Sequence, residues 1–79
     1  MKTERYDYHG IEKLQKRIRE LMEETHLSAY RLAQTSGLPA STVKDLAAGR
    51  TKNPNIDTLM GIANGFDMTL SEFFDCDYF

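Results

Sequence analysis

Residues 27–55 constrain the fold of this chain most, because they carry start and stop signals for two short helices in close succession. Ser28 is a favourable N-cap for the first helix. Gly37 can adopt the left-handed conformation that ends it. Pro39 suits the first position of the next helix, where its missing N–H has no cost, and that helix is expected to stop at Gly49. The sequence therefore predicts a helix, a tight turn, a second helix and a loop.

The second of these helices has an apolar face and a polar face. Val43, Leu46 and Ala47 recur at helical spacing and are expected to pack on the preceding helix. The outward positions are short or polar: Ala40, Ser41, Lys44 and Asp45. A helix-turn-helix motif places its second helix in the major groove of DNA, with the N-terminal residues nearest the bases. The pattern therefore indicates a DNA-binding motif.

The side chains on the outward face suggest how bases could be read. The methyl group of Ala40 or of Thr42 could contact a thymine, and Ser41 could hydrogen-bond to several base edges. Lys44 could donate to guanine. Asp45 could accept from cytosine, or it could serve only as the partner of a neighbouring cation.

The loop after this helix is basic. Arg50, Thr51, Lys52 and Asn53 are all hydrogen-bond donors that could line a phosphate backbone, although a basic surface loop with no partner would look similar. The net charge of the chain is -2, but its distribution is uneven. Residues 1–52 hold ten basic and seven acidic residues, and residues 53–79 hold five acidic and no basic ones. The field at the basic face matters more than the total charge.

The run LSxxxLAxxSGLxxSTVxxLxxGRTKNP, followed by NIDTLMGIANGFDMTLSEFF, resembles the Cro/repressor-type helix-turn-helix family of bacterial and phage regulators. The resemblance covers roughly residues 11–74. It implies an all-α, five-helix, lambda-repressor-like domain in which helices 2 and 3 form the motif. It also implies a sequence-specific transcriptional regulator, most simply a dimeric repressor that binds a palindromic operator, although activation from an adjacent site is equally compatible with the sequence.

The chain departs from the family pattern at three positions. Many members have a glutamine that contacts a phosphate where this chain has Ala29. Many also pair a buried arginine with a glutamate where this chain has Met22 and Ala47, and replacing both partners together with apolar residues preserves packing. We still count Ser28, Ala29 and Arg31, around the start of the second helix, among the candidate DNA-binding residues.

The rest of the chain is predicted to complete one domain over residues 11–79, with a core at 11–74 and an aromatic tail at 75–79, after a partly ordered arm at 1–10. A first helix spans about 11–24. Asn55 caps a fourth helix, and Thr69 with Glu72 forms a capping box for a fifth. Gly61 and Gly65 weaken the fourth helix unless a neighbour packs closely against them.

Three aromatic side chains lie at the end of the predicted core or beyond it: Phe74, Tyr78 and Phe79. Side chains of this size are costly to leave in water, so we expect them to form the dimer interface. The alternative is that the tail folds back on its own domain beside the glycines of the fourth helix.

Other functions are not indicated by the sequence. No nucleophile lies beside a base, no cofactor motif is present, and neither histidine has neighbours at metal-ligand spacing. No membrane segment or secretion signal is evident, so a cytoplasmic protein is expected. The alternative to a regulator is an antitoxin or another protein-interaction module that uses the same fold and binds a toxin or other protein.

Overall fold

The computed structural model describes residues 9–79, and within that range the chain forms five helices and no strand. The helices are α1 (Gly10–Thr25), α2 (Ala29–Ser36), α3 (Ala40–Ala47), α4 (Ile56–Gly65) and α5 (Leu70–Phe73). The predicted five-helix, all-α architecture is confirmed. The predicted arm at 1–10 falls mostly outside the described residues, and α1 begins at Gly10, one residue before the predicted start.

The helix caps form where the sequence places them. The Ser28 hydroxyl accepts a hydrogen bond from the Arg31 N–H at 3.2 Å, and the Asn55 side chain accepts one from the Thr58 N–H at 2.8 Å. Thr69 and Glu72 make both bonds of the capping box. Pro39 is one residue earlier than predicted, because it is the N-cap of α3 rather than its first helical residue. Each cap satisfies backbone groups that the first helical turn leaves unpaired.

The core lies where all five helices meet. Its buried apolar residues are Leu14, Ile18, Leu21, Leu32, Ala33, Val43, Leu46, Ile62, Ala63, Phe66 and Phe73. Helix α2 packs extensively on both α3 and α4, so it is the central element of the domain. Not every apolar residue of α4 reaches this core, because the side chain of Ile56 at the start of the helix is 56% exposed.

The two glycines of α4 lie against the α2 segment. A Cβ atom at Gly65 would lie 2.9 Å from Leu32 Cδ1 and 2.9 Å from Ser36 Cβ, which is closer than packed carbon atoms approach. A Cβ at Gly61 would meet Leu38 at 3.4 Å, an ordinary contact. Close packing by a neighbour, the condition under which these glycines would not simply weaken the helix, therefore applies to Gly65.

A polar side chain of α1 contacts α5, in addition to the apolar residues that both helices contribute to the core. The Arg17 guanidinium donates to the backbone carbonyls of Phe73 and Glu72 at the end of α5. A cation at that position is favourable because the last carbonyls of a helix carry partial negative charge. The polar face of α1 therefore contacts α5 at Arg17.

Candidate nucleic-acid interface

Helix α3 is oriented by the two residues that it buries. Val43 is fully buried and Leu46 is 2% exposed, and both lie in the common core with Leu32 of α2. Ser41 and Lys44, on the opposite face, are exposed. The remaining candidate readout residues, Ala40, Thr42 and Asp45, are half-buried at the edges of that face. The helix therefore presents a short polar surface to solvent along its N-terminal half.

The carboxylate of Asp45 is engaged by the loop that follows α3. The Arg50 guanidinium lies 2.9 Å from Asp45 Oδ1 through one terminal nitrogen and donates to the same oxygen from Nε at 3.0 Å. The Arg50 backbone N–H also bonds to the Asp45 carbonyl at 2.8 Å. Both side chains remain largely accessible to water. Of the two roles considered for Asp45, that of partner to a neighbouring cation matches this geometry.

A glutamine from α1 supports the end of α3. Gln15 Nε2 donates to the Ala47 carbonyl at 3.1 Å, and Ala47 is the last residue of the helix. The chain then turns at Gly49, whose φ is 76°, directly beside the Gln15 amide. The sequence reasoning missed Gln15, because its partner is 32 residues away and no local pattern connects them.

The loop itself exposes most of its donors. Lys52 and Asn53 are exposed, Thr51 is half-buried, and Arg50 is exposed although its guanidinium is paired with Asp45. Lys52 has no ion-pair partner among residues 9–79, so its charge is fully available. The charges of Arg50 and Lys52 therefore differ in how available they are to a ligand, and their positions in the sequence do not reveal this difference.

The start of α2 lies on the same side of the domain as part of α3. Ser28 uses its hydroxyl as the helix cap, Arg31 is exposed, and Ala29 is half-buried. Ala29 lines an open depression together with residues from α1 and from the end of α3. The residues that line it are Arg19, Met22, Ala29, Lys44, Ala47 and Ala48.

Arg19 is the second residue that sequence reasoning missed. It stands among mixed charges on the polar face of α1, a pattern typical of solvated surface, but the fold places it at the same depression as Lys44. The spacing of Arg19 one turn from Met22 was the available signal, because Met22 occupies a position that the family pattern places at the contact between α1 and α3.

The predicted dimer residues lie at the end of the chain, and one of them, Tyr78, contacts α1. The Tyr78 hydroxyl donates to Glu20 Oε1 at 2.5 Å, and the Lys16 ammonium lies 4.4 Å from the centre of the Tyr78 ring. Burial raises the pKa of the Tyr78 hydroxyl well above its usual range, and the hydrogen bond to Glu20 adds to the shift. The tail thus folds back on its own domain, as in the alternative to the dimer, but Tyr78 lies on α1 rather than beside the α4 glycines.

The other two aromatic residues of this group are arranged edge to face. The Phe74 and Phe79 rings have centroids 4.8 Å apart at an angle of 89°, and Phe74 is half-buried. Phe79 is 47% exposed. A large apolar side chain therefore remains accessible beside two aromatic neighbours, Phe74 and Tyr78.

The described residues form no group of three or more histidine, cysteine or carboxylate side chains that could hold a metal ion. Over residues 9–79, none of the helices has the length and apolar character needed to cross a bilayer.

Helix α3 exposes a face of short and polar side chains, packs on α2 and is followed by a basic loop. These features define a helix-turn-helix protein. Residues 17–77 match the sequence profile of the Cro/C1-type HTH DNA-binding domain family, and the chain belongs to that family. No curated protein matches the sequence significantly. Family membership supports a DNA-binding regulator in general terms.

Proposed function

We propose that this protein is a cytoplasmic transcriptional repressor that binds a palindromic operator as a homodimer. The observation that carries the proposal is the orientation of α3, in which Val43 and Leu46 are buried and Ser41 and Lys44 face outwards. Small residues at the start of this helix allow its backbone to approach the base edges closely. Occupancy of an operator that overlaps a promoter would then exclude the polymerase.

Base readout in this proposal depends on the N-terminal half of α3. Ala40 and Thr42 offer methyl groups to thymine, Ser41 offers a hydroxyl, and Lys44 can donate to guanine. Phosphate contacts come from Lys52, Thr51 and Asn53 of the loop, from the exposed Arg31 of α2, and to a lesser degree from Arg50. Arg50 is placed last because Asp45 already neutralises it.

The direct test is a gel-shift titration with the DNA upstream of the protein's own gene, at two salt concentrations, against a scrambled duplex of equal length. We expect tighter binding to the upstream DNA and a steep loss of affinity with salt. Lys52→Ala should lower the slope of log K against log salt by about one unit. Equal affinity for both duplexes would contradict sequence-specific binding, and no binding to either would contradict the function.

The dimer in this proposal uses the exposed Phe79 with its neighbours Phe74 and Tyr78. A two-fold pair doubles the contacts and requires half-sites about 34 Å apart on one face of the duplex. Support comes from the exposure of Phe79, whose ring contacts those of both Phe74 and Tyr78. The acidic character of residues 53–79 also keeps this surface from competing for DNA.

A protein-interaction module is the second candidate function, and one observation favours it. Ile56 and Met60, one turn apart on α4, are 56% and 54% exposed, which leaves an apolar pair accessible. An antitoxin would cover such a surface with its toxin. Co-expression with the product of the adjacent gene, followed by gel filtration, tests this function, because a stable complex lost in Met60→Ser would support it.

A further inference from the structure

The depression between α1, α2 and α3 has an apolar floor made of unusually small side chains. Its volume is about 340 Å³, and Met22, Ala29, Ala47 and Ala48 supply the apolar surface. Three of these four residues are alanines, so the floor is wide because nothing longer projects across it. Volumes near 300 Å³ lie at the lower end of the range for small-molecule sites.

The rim of the same depression carries positive charge. Arg19 from α1 and Lys44 from α3 both line it, and no acidic residue does. Neither cation has an ion-pair or hydrogen-bond partner among residues 9–79. An apolar floor beside two unpaired cations is complementary to a ligand that is apolar at one end and negatively charged at the other.

We propose that this depression binds a small amphipathic carboxylate, such as an arylalkanoic acid with one ring. The ring would lie on Met22 and the alanines, and the carboxylate would lie between the Arg19 guanidinium and the Lys44 ammonium. Charge-assisted hydrogen bonds to a carboxylate are strong, and a planar guanidinium can make two of them in parallel. A simple inorganic anion would use the cations but would leave the apolar floor exposed to water.

The carboxylate regulates DNA binding, and this half of the proposal rests on the proposed function. Lys44 belongs to the outward face of α3, so a carboxylate that pairs with Lys44 removes a cation from the DNA interface. Ligand and DNA would then compete for the same side chain. Because coupling between two ligands is reciprocal, DNA weakens carboxylate binding by the same factor.

Direct binding is tested without DNA by titrating the full-length, ¹⁵N-labelled chain with three probes. These probes are 3-phenylpropanoate, its uncharged amide and acetate. We expect saturable shifts of the Met22, Ala29, Ala47 and Ala48 amide signals with 3-phenylpropanoate, and at least tenfold weaker binding of the other two. Equal affinity for acetate would identify a charge-only site, and equal affinity for the amide would remove the role of the cations. Either result overturns the proposal.

Two variants of the protein test the apolar floor and the charged rim separately. Lys44→Gln should weaken binding of 3-phenylpropanoate about five- to tenfold without changing binding of the amide. Ala47→Met should fill the floor and abolish binding of both. Asp45→Asn is the matched control, since it changes charge on the same helix but does not line the depression. Unchanged binding in Lys44→Gln would overturn the proposal even if Ala47→Met failed to fold.

Regulation is tested by gel shift at saturating 3-phenylpropanoate, with the amide as control. We expect at least a fivefold loss of DNA affinity with the acid and none with the amide. Unchanged affinity with the acid would overturn the regulatory half. A protein that binds no DNA without ligand would contradict the proposed function, while the titration without DNA would still decide the carboxylate site.

Discussion

Asp45 shows that the role of a single residue can depend on contacts that only the fold creates. From its position on the outward face of α3, it could equally read a base or balance a neighbouring cation. The structure brings Arg50 to its carboxylate through both the side chain and the backbone. The pair lies in water, where such ion pairs contribute about 0.2–1 kcal/mol, so its main effect is to hold the loop and neutralise Arg50.

Replacing Asp45 with alanine should leave the base preference of the protein unchanged. It should also raise affinity for all DNA sequences, because Arg50 becomes available and a negative charge is removed from the interface. Selection of operators from a random library checks the preference, and a gel shift with scrambled DNA checks the general affinity. Asp45→Asn is the control that keeps a hydrogen-bond acceptor. Loss of preference for cytosine at one position would instead assign Asp45 to readout.

At the scale of elements, the contact between α2 and α4 depends on one glycine. Gly65→Ala should destabilise the protein by about 1–3 kcal/mol, because the added methyl overlaps Leu32 and Ser36. Gly61→Ala is the matched substitution in the same helix, where the contact with Leu38 is ordinary. It should leave stability unchanged or raise it by up to about 1 kcal/mol through helix propensity. Urea unfolding measures both, and equal effects would contradict this account.

The elements that could be predicted from sequence are those specified by neighbouring residues. Ser28, Asn55 and Thr69 cap helices because their partners lie three residues away. The contacts of Gln15 and Arg17 could not be predicted, because their partners are 32 and 56 residues away. Periodicity identifies which face of a helix is apolar. It does not identify which polar side chain on that helix meets another element.

The candidate site likewise has one part that could be predicted from the sequence and one part that could not. The exposure of Ser41 and Lys44 followed from the apolar spacing of Val43 and Leu46 within one helix. The proximity of Arg19 to Lys44 required the crossing of α1 and α3, which no local signal specifies.

At the scale of the whole molecule, the contact between the tail and α1 makes stability depend on pH. Ionisation of Tyr78 is harder in the folded chain, where burial and the hydrogen bond to Glu20 raise the pKa of its hydroxyl above the ordinary 10.0. The stabilising contribution of the Tyr78 hydroxyl is therefore fully present below pH 10 and declines as the pH rises further. Tyr78→Phe keeps the ring beside Lys16 but lacks this contribution.

Urea unfolding of the wild type and of Tyr78→Phe at pH 7, 9 and 11 checks this expectation. The difference in unfolding free energy should be the same at pH 7 and 9 and smaller at pH 11. A difference that stays constant to pH 11 would show that the hydroxyl contributes nothing that ionisation can remove.

The proposed dimer is best tested at Phe79. Phe79→Ser should convert the dimer to a folded monomer with weaker operator binding, because it removes an exposed apolar ring and leaves the Tyr78 contact with α1 in place. Sedimentation velocity measures the oligomeric state. Tyr30→Ser is the control, since Tyr30 is another highly exposed aromatic residue. A dimer that persists in Phe79→Ser would place the interface elsewhere.

The hydrogen bonds between α1 and the segment around α5 have a consequence for the order of folding. They join residues 55 to 58 positions apart, so forming them requires closure of most of the chain. Contacts across the turn between α2 and α3 close much shorter loops and are expected to form earlier. Arg17→Met should therefore speed unfolding in stopped-flow experiments while leaving the folding rate nearly unchanged. The α2–α3 pair would assemble first, and the contacts between the first helix and the end of the chain would form afterwards.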